Sequence, residues 1–406
     1  MWLSNFALVL KNEVISAGSL LVEDGLIADI RREPVANAAI DGGGRYLMPG
    51  FVDLHGDMIE REIAPRPNAN MPIDFAIFEL DKKMATAGVT TAFAAISFAT
   101  EGVFGNVRSL ETTSAVVSGL NEMRDRLLID HRVHARYEIT NTGAASRLQS
   151  FFASNAIHMI SLTDHTPGQG QYSDLEAYVA SISERRSISL AAAHEIAAKK
   201  RAARDNPEIA ATLVQIIDAA RLRKLPIASH DDDSAEKIAE MHRLGVTISE
   251  FPVSASAAAE ATRRGLWTLM GSPNALRGKS MTGNLSALAA AESGNLNLIA
   301  ADYHPAAFVP AIFRLAEVCK GGLPEAVAMA TANPATSVGL GDRGEIAIGR
   351  RADLLVVETG RVHRIRSTLC AGRMVYNDGT LVLDHEQRIV RAPPAVECCV
   401  PRLRQP

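Results

Sequence analysis

The sequence is poor in cysteine and aromatic residues, and neither sign of charge dominates it. Aromatic residues make up 5% of the chain, and none of the cysteines shows the C-x-x-C spacing of zinc ribbons or redox motifs. We therefore expect reduced thiols at the four cysteines, which are Cys319, Cys370, Cys398 and Cys399. The formal net charge of −4 over 406 residues argues against a general binder of nucleic acid or of membrane surfaces.

Long hydrophobic runs are also absent. No apolar run approaches the ~18 residues that a membrane-spanning helix needs. The N-terminal region lacks the basic segment followed by an apolar stretch that is typical of a signal peptide. These two absences predict a cytoplasmic protein. A composition of 47% apolar and 22% charged residues is that of a soluble protein, and the length is ample for a large core.

The middle of the chain, residues 49–340, alternates short apolar segments rich in β-formers with longer helical segments. Eight strand candidates occur there, at 51–57, 89–98, 134–140, 156–165, 226–231, 246–252, 267–273 and 297–303. Strands that alternate with helices predict an α/β fold with a parallel sheet, and eight such units predict a (β/α)8 TIM-like barrel. The longest helical insertion, residues 174–186 and 188–224, lies between the fourth and fifth candidates.

The two ends of the chain differ from the middle. Residues 1–48 contain short strands separated by turns, and a similar pattern of turns and strands returns in residues 344–357. We predict that residues 1–48 and 341–406 together form one β-sandwich beside the barrel of residues 49–340. The tail from about residue 391 is expected to be peripheral.

Residues able to bind a metal ion follow most of the predicted barrel strands. His55 and Asp57 end the first strand and point to the same side, because side-chain direction alternates along a strand. Barrel active sites lie at the C-terminal ends of strands. Six of the eight candidates end in such side chains, namely His55 with Asp57, Glu138, His165, His230 with Asp231 to Asp233, Glu250, and Asp302. Each has an ordinary structural explanation alone, but together they favour a mixed nitrogen and oxygen site for Zn²⁺ or a similar divalent ion.

At these residues the chain resembles the amidohydrolase superfamily over nearly its whole length. The motifs that carry the resemblance lie at 52–57 with 60–61 and 65–67, 161–171, 229–232, 249–252, 271–274 with 277–278 and 283–284, and 301–303. Within the superfamily, they are similar to those of members that release diphosphate from α-D-ribose 1-methylphosphonate 5-triphosphate in phosphonate catabolism. The resemblance therefore implies a metal-dependent hydrolase of a phosphoanhydride.

The resemblance also implies a metal centre, although the sequence departs from the general pattern of the superfamily. Asp57 and Glu250 stand where histidines are usual, and no lysine ends the fourth strand. We expect two divalent ions, with Zn²⁺ as the first choice and Mn²⁺, Fe²⁺ or Ni²⁺ as alternatives. The expected ligands are His55, Asp57, Glu138, His165 and His230, with Glu138 as the bridge. Asp302 is the expected catalytic residue, which takes the proton of the attacking water.

A triphosphate substrate needs positive charge beyond that of the metal ions. The predicted substrate-binding residues are Arg61, Arg66, Gln169, Asp231, Glu250, Arg277 and Lys279. The expected partner is a phosphorylated sugar, without nucleic acid or membrane, and we expect a homo-oligomer. One alternative is hydrolysis of a C–N bond by a deacetylase or cyclic amidase, for which the arginine residues would be needless. Another is a non-catalytic scaffold, which predicts gaps among the strand-end ligands that the sequence does not have.

Overall fold

The structure is a computed structural model that describes residues 1–66, 69–99, 105–172, 174–281 and 283–381. The chain begins with five strands that precede the barrel. They are β1 (Trp2–Val9), β2 (Val14–Glu23), β3 (Leu26–Arg31), β4 (Ile40–Asp41) and β5 (Tyr46–Pro49). Strands β1, β2 and β3 are antiparallel neighbours, and β5 runs parallel to β1. The N-terminal segment is therefore a β-structure, as the sequence predicts.

Eight parallel strands then form the barrel in sequential order. They are β6 (Phe51–Gly56), β7 (Val89–Phe98), β8 (Asp130–Glu138), β9 (Met159–Thr163), β10 (Ile227–His230), β11 (Ile248–Glu250), β12 (Trp267–Gly271) and β13 (Leu298–Ala300). A parallel bridge between Gly56 and Asp302 joins the last strand to the first and closes the barrel. Each strand overlaps one of the eight candidates, so the predicted (β/α)8 fold is confirmed.

The barrel strands are buried on both faces, which explains their nearly continuous apolar sequences. Side chains such as Val52, Leu54, Phe93 and Leu269 fill the barrel interior. Alternate side chains point outward and pack against the surrounding helices, as Tyr137 does. The packed apolar interior occupies one end of the barrel. The C-terminal ends of the strands, at the other end, are therefore available to polar residues.

Helices surround the barrel and connect its strands. Within the described residues they are α1 (Ile59–Ile63), α2 (Ile73–Thr86), α3 (Leu110–Glu122), α4 (Ala145–Ala153), α5 (Leu175–Arg186), α6 (Leu190–Arg204), α7 (Pro207–Leu222), α8 (Ala235–Arg243), α9 (Ala255–Arg263), α10 (Ser272–Arg277), α11 (Ala287–Glu292), α12 (Phe308–Ala316), α13 (Gly322–Ala328) and α14 (Ala332–Ser337). Side-chain caps such as Ser109, Asp174 and Ser234 start several of them by accepting a backbone N–H bond. Among the described helices, none has the length and apolarity required to traverse a lipid bilayer.

The predicted insertion between the fourth and fifth barrel strands consists of α5, α6 and α7. Helices α5 and α6 have a small core of their own, which includes Tyr178, Val179 and Ala193. The ion pair between Arg204 Nε of α6 and Asp164 Oδ2, at 2.7 Å, connects this insertion to the residues that follow β9. The insertion therefore contacts the rim of the barrel where His165 lies.

The chain ends share one sheet. Strands β14 (Leu354–Glu358), β15 (Arg364–Cys370) and β16 (Arg373–Asn377) extend it in the order β16-β15-β14-β5-β1-β2-β3, with β4 beside β1. The antiparallel pairing of β14 with β5 joins the two ends, and a separate apolar core fills this unit. The composite β-domain is thus confirmed, whereas the predicted tail from about 391 lies outside the described residues.

Candidate active site

A pocket of about 220 Å³ opens at the C-terminal ends of the barrel strands. The strands and the residues that follow them contribute His55 of β6 with Asp57 after it, Arg136 of β8, His230 of β10 with Asp231 after it, Phe251 after β11, Gly271 of β12 and Asp302 after β13. Arg277 and Lys279, at and after the end of α10, add two cationic side chains to its lining. Residues that are far apart in the sequence therefore share one cavity.

His55, His230 and Glu250 form the first group that could hold a metal ion. Each offers one ligand atom, and these atoms lie within 4.8 Å of one another. His55 Nδ1 lies 3.3 Å from Glu250 Oε1. Burial, followed by the charge of Arg136, holds the pKa of His55 well below its usual range, so its ring is neutral and has a lone pair for a metal. Glu250 is fully buried, and its Oε2 has no hydrogen-bond partner among the described residues.

His165, His230 and Asp231 form a second group, which shares His230 with the first. His230 Nδ1 lies 2.9 Å from Asp231 Oδ2, outside hydrogen-bond geometry, and neither ring nitrogen has a hydrogen-bond partner in the described part of the chain. Burial lowers the pKa of His230, but the charge and close approach of the Asp231 carboxylate, together with the charge of Glu250, outweigh burial and leave that pKa raised. A buried ring with two unpartnered nitrogens between two carboxylates is an environment that a divalent cation would satisfy.

Glu138, the predicted bridge, contacts His165 at the end of β8. Its Oε2 lies 2.6 Å from His165 Nδ1, and its Oε1 accepts the backbone N–H of His165 at 3.1 Å. The structure thus brings these two predicted ligands together, although Glu138 belongs to neither of the two groups. A carboxylate on one ring nitrogen of a histidine turns the other nitrogen toward a metal. In this geometry Glu138 orients His165.

Asp57 and Asp302 meet where the barrel closes. The backbone N–H of Asp302 donates to the carbonyl oxygen of His55 at 2.8 Å, and that of Asp57 donates to the carbonyl oxygen of Asp302 at 3.3 Å. Burial, and then the charge of Asp57, raises the pKa of Asp302 to about 7. Burial also raises the pKa of Asp57, and Arg136 opposes that rise. A carboxyl group that titrates near neutral pH is suited to exchange a proton with a reacting water.

The backbone turns sharply at three of these strand ends. Asp231, Phe251 and Asp302 have φ of 56°, 54° and 55°, a left-handed conformation that non-glycine residues seldom adopt. The Asp231 N–H donates to the Glu250 carbonyl oxygen at 2.9 Å, and the Phe251 N–H to that of Leu269 at 2.8 Å. Such conformations concentrate at functional sites, where the surrounding structure imposes them.

The predicted substrate-binding residues separate into three sets. Arg277 and Lys279 line the pocket, whereas Asp231 and Glu250 belong to the two metal-capable groups. Gln169 is not part of the lining, and its Nε2 has no hydrogen-bond partner among the described residues, although Gln171, two residues further along, lines the pocket. The exposed side chains of Arg61 and Arg66 are not part of the pocket lining among the described residues.

Sequence reasoning missed three buried residues of this region. They are Asp53, which accepts the N–H groups of His55 and Ala301, His134, which contacts Leu54 and Ser161, and Arg136 of the pocket itself. The signal for two of them was present, because His134, Arg136 and Glu138 alternate along β8 and therefore share its inner side. His134 and Arg136 precede the last residue of β8, whereas the prediction from sequence used only the last residues of each strand.

Comparison with known proteins agrees with this architecture. The model of a family described as the amidohydrolase family matches residues 234–382. The chain is 34% identical over 370 residues to the alpha-D-ribose 1-methylphosphonate 5-triphosphate diphosphatase of Escherichia coli (strain K12). This alignment covers 88% of this chain and 94% of that protein. The predicted family is therefore confirmed.

Solved structures share the fold at low sequence identity. The dihydropyrimidinase of Brevibacillus agri NCHU1002 superposes on this chain with a TM-score of 0.61 and 14% identity. The superposition covers 93% of this chain and 95% of the dihydropyrimidinase. The N-acetyl-D-glucosamine-6-phosphate deacetylase of Mycobacterium smegmatis has a TM-score of 0.60 and 16% identity, covering 93% of this chain and 100% of its own. The chain belongs to the amidohydrolase family, together with the alpha-D-ribose 1-methylphosphonate 5-triphosphate diphosphatase of Escherichia coli.

Proposed function

We propose that this protein hydrolyses a phosphoanhydride of α-D-ribose 1-methylphosphonate 5-triphosphate and releases diphosphate. The observation that carries the proposal is a single pocket in which histidines and carboxylates lie beside three cationic side chains, Arg136, Arg277 and Lys279. A neutral amide would need no such cations, whereas a triphosphate does. The similarity to the Escherichia coli diphosphatase, which extends over most of both chains, supports the same substrate.

The amidohydrolase family is metal-dependent, and the unpartnered atoms of His230 and Glu250 fit a divalent cation. We infer two ions, with Zn²⁺ as the first choice. His55, His165 and His230 are common to the sequence-based and the geometric ligand sets; the former adds Asp57 and Glu138, and the latter adds Asp231 and Glu250. Divalent ions held there would lower the pKa of a bound water and polarise a phosphoryl oxygen.

The residues of the chain then have separate tasks. Asp302 accepts the proton of the attacking water and can pass it to the leaving group. Arg277 and Lys279 neutralise the distal phosphates at the rim of the pocket. A new bond forms between the water oxygen and phosphorus, and the bond between the first and second phosphates breaks. The products are the sugar 5-phosphate and diphosphate, which keeps the reaction a simple hydrolysis.

The test compares two classes of substrate on the metal-loaded protein. Diphosphate release would be measured from a ribose 5-triphosphate and from its 1-methylphosphonate, beside turnover of N-acyl amino acids and cyclic amides. We expect diphosphate release and no turnover of the amides. Turnover of amides alone would instead assign the protein to the C–N hydrolases. The homo-oligomeric state and the cytoplasmic location stay predictions.

A further inference from the structure

Arg136 is a buried arginine near the C-terminal end of barrel strand β8, and a buried charged residue is unusual. The residue is 8% exposed, and it lines the pocket with His55, Asp57 and Asp302. In the parallel register its neighbours across the strands are Ser97 and Ser161. These small residues leave the guanidinium group room to reach the cavity.

Among the residues that the structure describes, the guanidinium group of Arg136 has no hydrogen-bond or ion-pair partner. Its Nε has no hydrogen-bond partner among the described residues, and within that same part of the chain it makes no ion pair. Arg343 gives a comparison, since this residue is 7% exposed. The Arg343 guanidinium bonds Thr91, Asp130 and Asp342, as a buried cation normally does. Arg136 therefore has donors free for a ligand.

The chemistry of the free donors defines that ligand. A guanidinium group presents several N–H donors in a plane, a geometry that matches the oxygens of a phosphate. Arg136 projects from the strand wall of the pocket, while the exposed Arg277 and Lys279 follow the barrel strands at its rim. A phosphoryl group beside the metal-capable residues would meet Arg136, and the rest of a polyphosphate would extend toward the other two cations.

We propose that Arg136 is a catalytic residue whose guanidinium group binds the phosphoryl group under attack and stabilises the charge that develops on its oxygens. This inference rests on the proposed function, because it concerns the same reaction. Preorganised donors that act on developing charge in a buried site raise kcat more than they improve substrate binding. Removal of Arg136 should thus lower kcat by a larger factor than it weakens phosphate binding, whereas removal of a rim cation should act mainly on KM.

A purely structural role makes different predictions. If Arg136 served only as a counter-charge for Asp57, Asp231 and Asp302, its removal would leave these carboxylates unbalanced. The variant would then lose thermal stability or metal, and a small cation in solution would not restore turnover. A role in substrate binding predicts normal stability, normal metal content and recovery when the missing group is supplied.

The experiment uses the metal-loaded protein and the variants Arg136→Ala and Arg136→Lys. We expect Arg136→Ala to lower kcat by ~10²–10³-fold, with little change in metal content or unfolding temperature, and added guanidinium at non-denaturing concentration to recover part of kcat. Arg136→Lys keeps the charge without the planar fork and should recover only part of the activity. A kcat within about threefold of wild type in Arg136→Ala, or a loss that tracks metal content without rescue, would overturn the inference.

A binding measurement separates this inference from the proposed function. Tripolyphosphate would be titrated into the metal-loaded wild type and both variants, with Arg343→Lys as the control at a paired, buried arginine. We expect tripolyphosphate to bind Arg136→Ala ~10–100-fold more weakly. If wild type released no diphosphate, the proposed function would fall, while this difference would still support Arg136 as an anion ligand. Should Arg136→Ala not fold, Arg136→Lys with unchanged affinity and kcat would overturn the inference.

Discussion

Asp302 packs directly against Gly271, so closely that a β-carbon on this glycine would lie 2.6 Å from the Asp302 Oδ2. The last residue of β12 therefore makes room for the carboxylate that follows β13. Gly271→Ala should push Asp302 out of position and lower kcat by about 10²-fold, because displacements of about 1 Å at a reacting group have effects of this size. Steady-state kinetics would measure this.

The matched control for that substitution is Gly341→Ala. A β-carbon at Gly341 would have no atom within 4 Å among the described residues, and its φ is not positive. This variant should keep the kcat of wild type. Equal kcat in Gly271→Ala and Gly341→Ala would show that the position of Asp302 does not limit turnover.

Asp302→Asn tests the proton transfer itself. The amide has nearly the shape of the carboxylate but cannot accept the proton of the attacking water, so we expect kcat to fall by ~10²–10⁴-fold. Metal content, measured by elemental analysis, should stay close to that of wild type because Asp302 belongs to neither metal-capable group. Activity similar to wild type would remove Asp302 from the mechanism.

Substitution of Glu250 and substitution of Glu138 should reduce metal binding to different extents. Glu250 lies in a group with His55 and His230, so Glu250→Gln should lower bound metal by about one ion per chain. Glu138 contacts His165 through both carboxylate oxygens, so Glu138→Gln should weaken metal binding by ~10–100-fold without abolishing it at saturating metal. Metal titrations would measure both, and complete loss in Glu138→Gln alone would favour the predicted bridge.

The cations around the pocket should contribute unequally. Arg277 lines the pocket and its Nη1 lies 3.5 Å from the Tyr303 hydroxyl, whereas Arg61 is exposed on α1 outside the lining. Arg277→Ala should raise KM by about 10-fold, the effect of one charge-assisted hydrogen bond at a solvated rim. Arg61→Ala serves as the control and should change KM by less than about twofold. The reverse order would contradict the pocket-based assignment.

His158, a residue away from the active site, should make the free energy of unfolding depend on pH. Burial, followed by the charge of Arg124, lowers its pKa to about 4, and its Nδ1 accepts the backbone N–H of Val133 at 3.1 Å. The unfolded chain therefore binds a proton below about pH 6.5 that the folded protein binds only below about pH 4. Acidification from pH 7 to 5 should thus lower the free energy of unfolding by about 2 kcal/mol through this residue.

Urea unfolding of wild type and His158→Gln at the two pH values would measure this contribution. The glutamine can still accept the Val133 N–H but does not titrate, so its loss of stability between pH 7 and 5 should be smaller by that amount. His242→Gln changes an exposed histidine on α8 and serves as the control. Identical pH dependence in wild type and His158→Gln would contradict the prediction.

The sequence predicts the barrel well because each strand is a short apolar segment between turn residues, and this pattern is local. The clustering of His55, His230 and Asp302 follows from topology, since parallel strands bring their ends together. The distribution of the carboxylates could not be derived in this way. Whether Glu138 or Glu250 approaches a given histidine depends on side-chain torsions and neighbouring residues, which spacing in the sequence does not determine.

Arg136 shows a different limit of sequence reasoning. In the sequence, Arg136 reads as an ordinary residue of strand β8. Arginines in loops are the more obvious candidates for phosphate ligands. Arg136 is distinguished by its burial together with an Nε that has no hydrogen-bond partner in the described part of the chain. Both properties depend on what the other strands contribute around it, and these contributions come from distant parts of the chain.

The closure of the barrel by the bridge between Gly56 and Asp302 has a consequence during synthesis on the ribosome. Strand β6, which carries His55, is translated first among the barrel strands, but β13, which precedes the residue it bridges, is translated last. In the β-domain, β5 likewise cannot pair with β14 until the end of the chain has been made. The nascent chain therefore exposes unpaired strand edges until nearly all of it has been made. We expect chaperones to engage it during that interval, and truncated translation products to be degraded without acquiring activity.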